Sequence, residues 1–205
     1  MWIRSLLVAA LVAALAIPAF AQAPAPAGTP AHIRGTVEKF DGKVLTVKSR
    51  DGQEVAVTLA DKLTLKGVKR FRLSQIKSGD YVGVSSLSDA NGKMHAQEVV
   101  VLPEAMRGLA EGQFPWDLTP DSTMTNATVA QVSKVSRGRD LQLKYKDSTA
   151  DIDVAPGTPV VTFVDATTRL LKPGRVVFIS ARKMDDGSLV GGFIVAQRGK
   201  VKPPM

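Results

Sequence analysis

The side chains that most often carry enzyme chemistry are sparse in this sequence. It contains no cysteine, which excludes a thiol nucleophile and a disulfide. Its two histidines are His32, beside an Ala/Pro-rich stretch, and His95, in a predicted strand next to a hairpin turn. We expect both to face solvent. No catalytic residue is assigned, and the sequence favours a protein that is not an enzyme.

Metal and cofactor sites are equally weakly indicated. No His/Cys pair has the spacing of a zinc site. Two carboxylate pairs could bind a hard cation, at Asp185-Asp186-Gly187 and at Asp151-x-Asp153. A hairpin turn explains the first more simply, and the outer face of a strand explains the second. We predict no metal and no cofactor.

The richest cluster of polar and aromatic groups lies in residues 103–126. This segment has no period of 2 or 3.6 and is broken by prolines and glycines, so it connects other elements. It also holds Phe114 and Trp116, whereas a flexible linker would lack large apolar groups. Burying one tryptophan contributes roughly 2–3 kcal/mol, so we expect the connector to dock.

Two interpretations of the docked connector remain open. It could line a ligand cleft between two modules, with Trp116 as an apolar wall and Glu111, Asp117 and Asn126 as polar groups. The alternative, which we favour, is a structural clasp in which small polar side chains satisfy their own backbone and Trp116 fills a groove. The candidate binding residues are Glu111, Trp116, Asp117, Ser122, Thr123, Thr125 and Asn126.

The charge is basic, with 27 Lys and Arg against 19 Asp and Glu and a net charge of +8. The connector is acidic, since it sets Arg107 against four carboxylates. A basic patch is predicted at Lys62, Lys66, Lys69, Arg70 and Arg72. In an exported protein such a patch would meet anionic envelope components. Aromatic stacking platforms beside the cations are few, so nucleic acid is not expected as a partner.

The first residues predict export. A short basic start precedes an apolar run over residues 6–17, and Ala19-Phe20-Ala21 fits a cleavage site. The apolar run is shorter than the ~20 residues of a membrane span, so we predict a signal peptide at 1–21 and no membrane span in the mature form. An extended, disordered leader is predicted at 22–32.

The rest of the chain alternates as β-strands do. Asp41-Gly42, Asp51-Gly52 and Asn91-Gly92 are hairpin turn signals between alternating apolar runs. Residues 61–74 and 156–168 lack regularity. In the second half, the spacing of Val129, Val132 and Val135 indicates a bulge.

The two halves follow one plan. Leu141 repeats Leu45, and Leu171 repeats Ile76, at nearly the same separation, which indicates an internal duplication. The fold class predicted is all-β, with two tandem five-stranded OB-like small barrels joined by an ordered irregular connector. The expected bounds are 33–102 for the first repeat, 103–126 for the connector, 127–202 for the second repeat and 203–205 for a tail.

Four segments together resemble a family of exported proteobacterial proteins of unknown function. They are the stretch from Arg107 to Asn126, the strand Lys144-Tyr145-Lys146, the turn Leu171-Lys172-Pro173-Gly174 and the end Pro203-Pro204-Met205. The repeat units also resemble a broader uncharacterised domain family of small barrels. The resemblance implies a periplasmic location and tandem barrels. Some members of the family are named for metal transport.

These observations favour a non-enzymatic periplasmic protein that binds a ligand or serves the cell envelope. Its partner would be an anionic envelope component or another periplasmic protein. The alternatives are an accessory component of a metal transport system and, third, a hydrolase.

Overall fold

The structure, a computed structural model, describes residues 28–204. The predicted signal peptide and residues 22–27 of the predicted leader lie outside this range. The described chain is nearly all β. Its strands are β1 (Thr29–Phe40), β2 (Val44–Ser49), β3 (Glu54–Arg70), β4 (Tyr81–Ser88), β5 (Met94–Leu102), β6 (Gly112–Pro115), β7 (Thr123–Lys134), β8 (Arg139–Tyr145), β9 (Ser148–Val154), β10 (Val160–Asp165), β11 (Val176–Lys183) and β12 (Leu189–Ala196). Single 3-10 turns span Leu73–Gln75, Glu104–Met106 and Thr168–Leu170.

The first barrel is formed by β1, β2, β3, β12 and β11, in that spatial order. β1 pairs with β2 and with β11, and the parallel pairing of β12 with β3 closes the ring. One face of each strand fills the interior, for example Leu45 and Val47 of β2 and Ile179 of β11, all fully buried. The alternation seen in the sequence therefore places apolar side chains inside the barrel.

The second barrel is formed by β7, β8, β9, β5 and β4. β4 pairs with β7, and a short parallel pairing of β5 with β9 closes it. Leu141, Leu143 and Ile152 fill its interior together with Val82 and Val99. The predicted bulge in the first strand of the second half is confirmed, since the register of β7 against β8 shifts between Val129 and Gln131.

Each barrel takes three strands from one half of the chain and a two-stranded hairpin from the other. The hairpin β4–β5 completes the barrel of β7–β9, and the hairpin β11–β12 completes the barrel of β1–β3. The predicted all-β fold with OB-like five-stranded barrels is confirmed. The predicted bounds, 33–102 and 127–202, do not coincide with the barrels, because the hairpins are exchanged.

One continuous hydrogen-bonded sheet joins the two barrels. β10 lies between β3 and β5, antiparallel to one and parallel to the other. Residues 61–70 and 160–165, which lack regularity in sequence, are therefore strand. Two parallel pairings correspond to each other in the two barrels. β10 pairs with β5, as in Val160 with Val99, and β3 pairs with β12, as in Leu65 with Ile194.

Local corrections follow at both ends of the chain. β1 begins at Thr29 and pairs with β11, so residues 29–32 are ordered strand and not leader. Tertiary pairing overrides the breaking tendency of Pro30, which lies near the end of the ladder. At the other end, Pro203 of the predicted tail is buried.

Candidate functional site

An apolar layer separates the two barrels. Strand residues that point away from each barrel interior meet there and form a cluster of Val68, Val100, Val161, Phe163, Phe178 and Val195. Part of this layer is open to solvent as a cleft of about 630 Å³. Ligand-binding clefts in proteins commonly have roughly 300–1,000 Å³, so this cleft is large enough for a small molecule.

The connector lines this cleft and is bound to the second barrel through β7. Its strand β6 pairs with β7, with Phe114 opposite Met124. The carbonyl of Leu109 accepts hydrogen bonds from the Tyr81 hydroxyl at 3.1 Å and from the Asn126 amide at 3.3 Å. Burial, with a smaller contribution from Glu111, raises the pKa of Tyr81 to about 12, so its hydroxyl stays a donor.

Trp116 of the connector packs against the first barrel. Its ring lies 4.5 Å from the ring of His32 and 6.0 Å from that of Phe178, measured between centroids. The Arg34 guanidinium stacks over Trp116 at 5.4 Å and over Phe178 at 5.0 Å. These contacts combine apolar burial with cation–π attraction. The predicted docking of the connector therefore takes place through Trp116.

Asp117 fixes the same end of the connector by ion pairing. Its carboxylate accepts from Arg34 Nη2 at 2.7 Å, and His32 Nδ1 lies 3.0 Å from both of its oxygens. Partial burial raises the pKa of Asp117, but the bond and charge of Arg34, with His32, outweigh it and the net pKa is lowered. His32 is thus a partner of the connector, contrary to the expected solvent-facing position.

Glu98 of β5 is a buried carboxylate near Arg34 and Arg50. Glu98 is 1% exposed, and neither of its oxygens has a hydrogen-bond partner among the described residues. Burial raises the pKa of Glu98 to about 7, and the charges of Arg34 and Arg50 limit the rise. At neutral pH this group therefore exists in both protonation states.

The remaining candidate residues of the connector make hydrogen bonds within the connector or to the chain beside it. The Ser122 hydroxyl accepts from Thr119 N at 2.9 Å and donates within the same turn. Thr125 is buried and accepts from the Gln113 amide at 3.1 Å, and the backbone of Thr123 pairs with Pro115. Glu111 accepts from the backbone N–H of Lys146 at 3.0 Å.

The structure therefore combines the clasp and the cleft. Of the seven predicted binding residues, only Trp116 and Asn126 line the cleft. Asn126 faces Gly83, where a Cβ atom would come within 2.7 Å of the Asn126 amide oxygen, so glycine leaves room for this side chain.

The five residues of the predicted basic patch do not all line the same groove. Lys62, Lys66 and Lys69 lie along β3, and Lys66 pairs with Asp165 at 2.6 Å. Arg70 and Arg72 line a separate groove beside the C-terminal segment.

The weaker metal candidates resolve into local contacts. Asp186 accepts from the backbone and hydroxyl of Ser188, as in the predicted hairpin turn. His95 lies between Asp89 and Asp153, at 3.2 and 3.1 Å, and these two hydrogen bonds raise its pKa. Residues 28–204 contain no group of three or more side chains arranged to hold a metal ion.

No helix in residues 28–204 is long and apolar enough to span a bilayer.

Sequence reasoning missed the groups that the connector grips. His32, Arg34 and Phe178 come from β1 and β11, which are distant in sequence and adjacent only through the exchange. Glu98 carried one usable signal, because a lone carboxylate precedes the run Val99-Val100-Val101 in a buried strand.

Comparison with known proteins gives one match. Neither curated proteins nor solved structures yield a match to this chain. Residues 34–100 match the model of a domain of unknown function, DUF5666, which agrees with the expectation of an uncharacterised family. The matched segment covers nearly all of β1 to β5, so it supplies three strands to the first barrel and two to the second.

Proposed function

We propose that this protein is a non-enzymatic binding protein that holds an apolar small molecule in the cleft between its two barrels. The observation that carries the proposal is the cleft itself, about 630 Å³ in volume and roofed by the connector. The proposal includes the periplasmic location, which is supported by the N-terminal sequence pattern and the resemblance to exported proteins.

The chemistry of the lining favours an apolar ligand. Five aromatic rings line the cleft, with Trp116 packed against Phe114 and Phe178, and with the centroids of Phe163 and Phe193 6.0 Å apart. Leu109 also lines the cleft and is 50% exposed. A few polar groups, including His32 and Asn126, could orient the ligand.

Binding can be measured through Trp116, which becomes the single tryptophan when Trp2 is replaced by phenylalanine. The uncharged apolar probe N-phenyl-1-naphthylamine should accept excitation energy from Trp116 in a saturable, one-to-one titration. Thr64→Phe fills part of the cleft from an exposed strand position and should weaken binding by about tenfold or more, since overfilling a site costs 1–3 kcal/mol.

The matched control is Thr149→Phe, an exposed threonine of β9 outside the cleft. This variant should bind the probe as the parent does. Absence of saturable energy transfer, or equal loss in both variants, would contradict the proposal.

The sequence-based alternatives stay open as proposals of lower rank. An accessory role in metal transport is supported by the names of some of the proteins that the chain resembles. No specific observation supports a hydrolase. A single divalent ion that raises the unfolding temperature, with reversal by chelator, would favour the transport role over apolar ligand binding.

A further inference from the structure

A second groove lies away from the cleft, and the two linings share no residue. It has a volume of about 940 Å³ and is bounded by the end of β3, the loop before β10 and the C-terminal segment. Arg70, Arg72, Lys200 and Lys202 line it, with no acidic side chain among the lining residues. Within the described part of the chain, none of these four cations is ion-paired.

The walls of the groove are fixed by contacts to both barrels. The backbone N–H of Phe71 donates to the carbonyl of Val160, and Val99 N–H donates to that of Pro159, both at 2.9 Å. In the C-terminal segment, Val201 packs against the apolar layer between the barrels and Pro203 is buried. The four cations are thus carried by ordered backbone.

Apolar surface accompanies the charge. Phe71, Leu73, Pro159 and Val201 contribute to the same lining. A hydrated polyanion gains nothing from such surface, whereas an amphiphile would place its hydrocarbon there. β10 is paired on both sides, by β3 and β5, so it offers no free edge for an added peptide strand.

We propose that this groove binds a single anionic amphiphile, with a phosphate held among Arg70, Arg72, Lys200 and Lys202 and the first part of its hydrocarbon chain against Phe71, Leu73 and Val201. Arginine favours such a ligand because its guanidinium donates two parallel hydrogen bonds to phosphate oxygens. The inference is independent of the apolar ligand proposed for the cleft.

The test is calorimetric titration of the full chain with dihexanoylphosphatidic acid below its aggregation concentration. Three comparison ligands separate the sources of affinity. They are dihexanoylphosphatidylcholine, which keeps the chains without net charge, glycerol 3-phosphate, which keeps the phosphate without chains, and hexaglutamate as an acidic peptide. Only dihexanoylphosphatidic acid should bind tightly, and its affinity should fall as salt is added.

The double variant R70Q/R72Q should lose about tenfold or more in affinity, because each charge-assisted hydrogen bond contributes roughly a factor of ten. K200Q/K202Q provides a second variant in another segment. The control K62Q/K69Q removes two exposed cations of β3 outside the groove and should leave affinity unchanged. Equal binding of glycerol 3-phosphate or hexaglutamate, equal loss in the control, or no binding would overturn the proposal.

Discussion

One buried carboxylate, Glu98, should make a large contribution to the pH dependence of stability. Its pKa of about 7 in the folded protein compares with an ordinary value of 4.5, and burial is the largest cause. Between these two pH values the folded state retains a proton that the unfolded chain has already lost. The contribution of Glu98 to the free energy of unfolding should therefore fall as pH rises from about 4.5 to about 7, and stay level above about pH 7.

The size of the effect follows from the shift. The side chain is 1% exposed, so solvent screening is slight. One pKa unit corresponds to 1.36 kcal/mol, and the shift in the pKa of Glu98 is therefore equivalent to about 3 kcal/mol. Glu98→Gln keeps the shape and removes the titration, so the stability of this variant relative to the parent should rise by that amount between acidic and mildly alkaline pH.

Urea unfolding followed by circular dichroism at about pH 4.5 and about pH 8 measures the difference. Glu54→Gln, an exposed carboxylate on β3, is the matched control and should show no such change with pH. If the difference between Glu98→Gln and the parent is the same at both pH values, Glu98 does not titrate as a buried acid and the reasoning is wrong.

Two further predictions concern the connector and the strand exchange. Trp116→Ala removes the ring that contacts His32 and Phe178. The loss of about 2–3 kcal/mol in the free energy of unfolding should lower the unfolding midpoint by roughly 5–10 °C. An unchanged midpoint would mean that the connector does not dock. T29C/K183C joins two exposed residues paired across β1 and β11, so oxidation should form a disulfide detectable by thiol titration. T29C/S88C is the control, because Ser88 would be the partner if each half closed its own barrel; a disulfide in this control alone would refute the exchange.

The exchange gives the domain match a physical interpretation. Residues 34–100 match one domain of unknown function, yet their β4–β5 hairpin packs with β7 and not with β1. The hairpins β4–β5 and β11–β12 occupy equivalent places in the two barrels, since each pairs with the first strand of a three-stranded unit. Internal duplication of the sequence stays a prediction, and the mirrored pairings of β10 with β5 and β3 with β12 are what it would lead one to expect.

The local features of the fold could be predicted from the sequence because they depend on neighbours along the chain. Asp41-Gly42 and Asn91-Gly92 turn as expected, with Gly42 at φ +102° and Gly92 at φ +79°, where a side chain would be strained. The alternating residues of β2 and β8 fill barrel interiors, and the slip after Val129 is a bulge.

The tertiary structure alone decided which hairpin completes which barrel, and with it the functional surfaces. Alternation shows which face of a strand is buried but not which of two similar hairpins packs against it. That choice brings Phe178 of β11 beside Trp116. It also lets Arg34 pair with Asp117 while its charge acts on the buried Glu98. The cleft exists because two closed barrels present convex apolar faces to each other, and no periodicity along the chain records the space left between them.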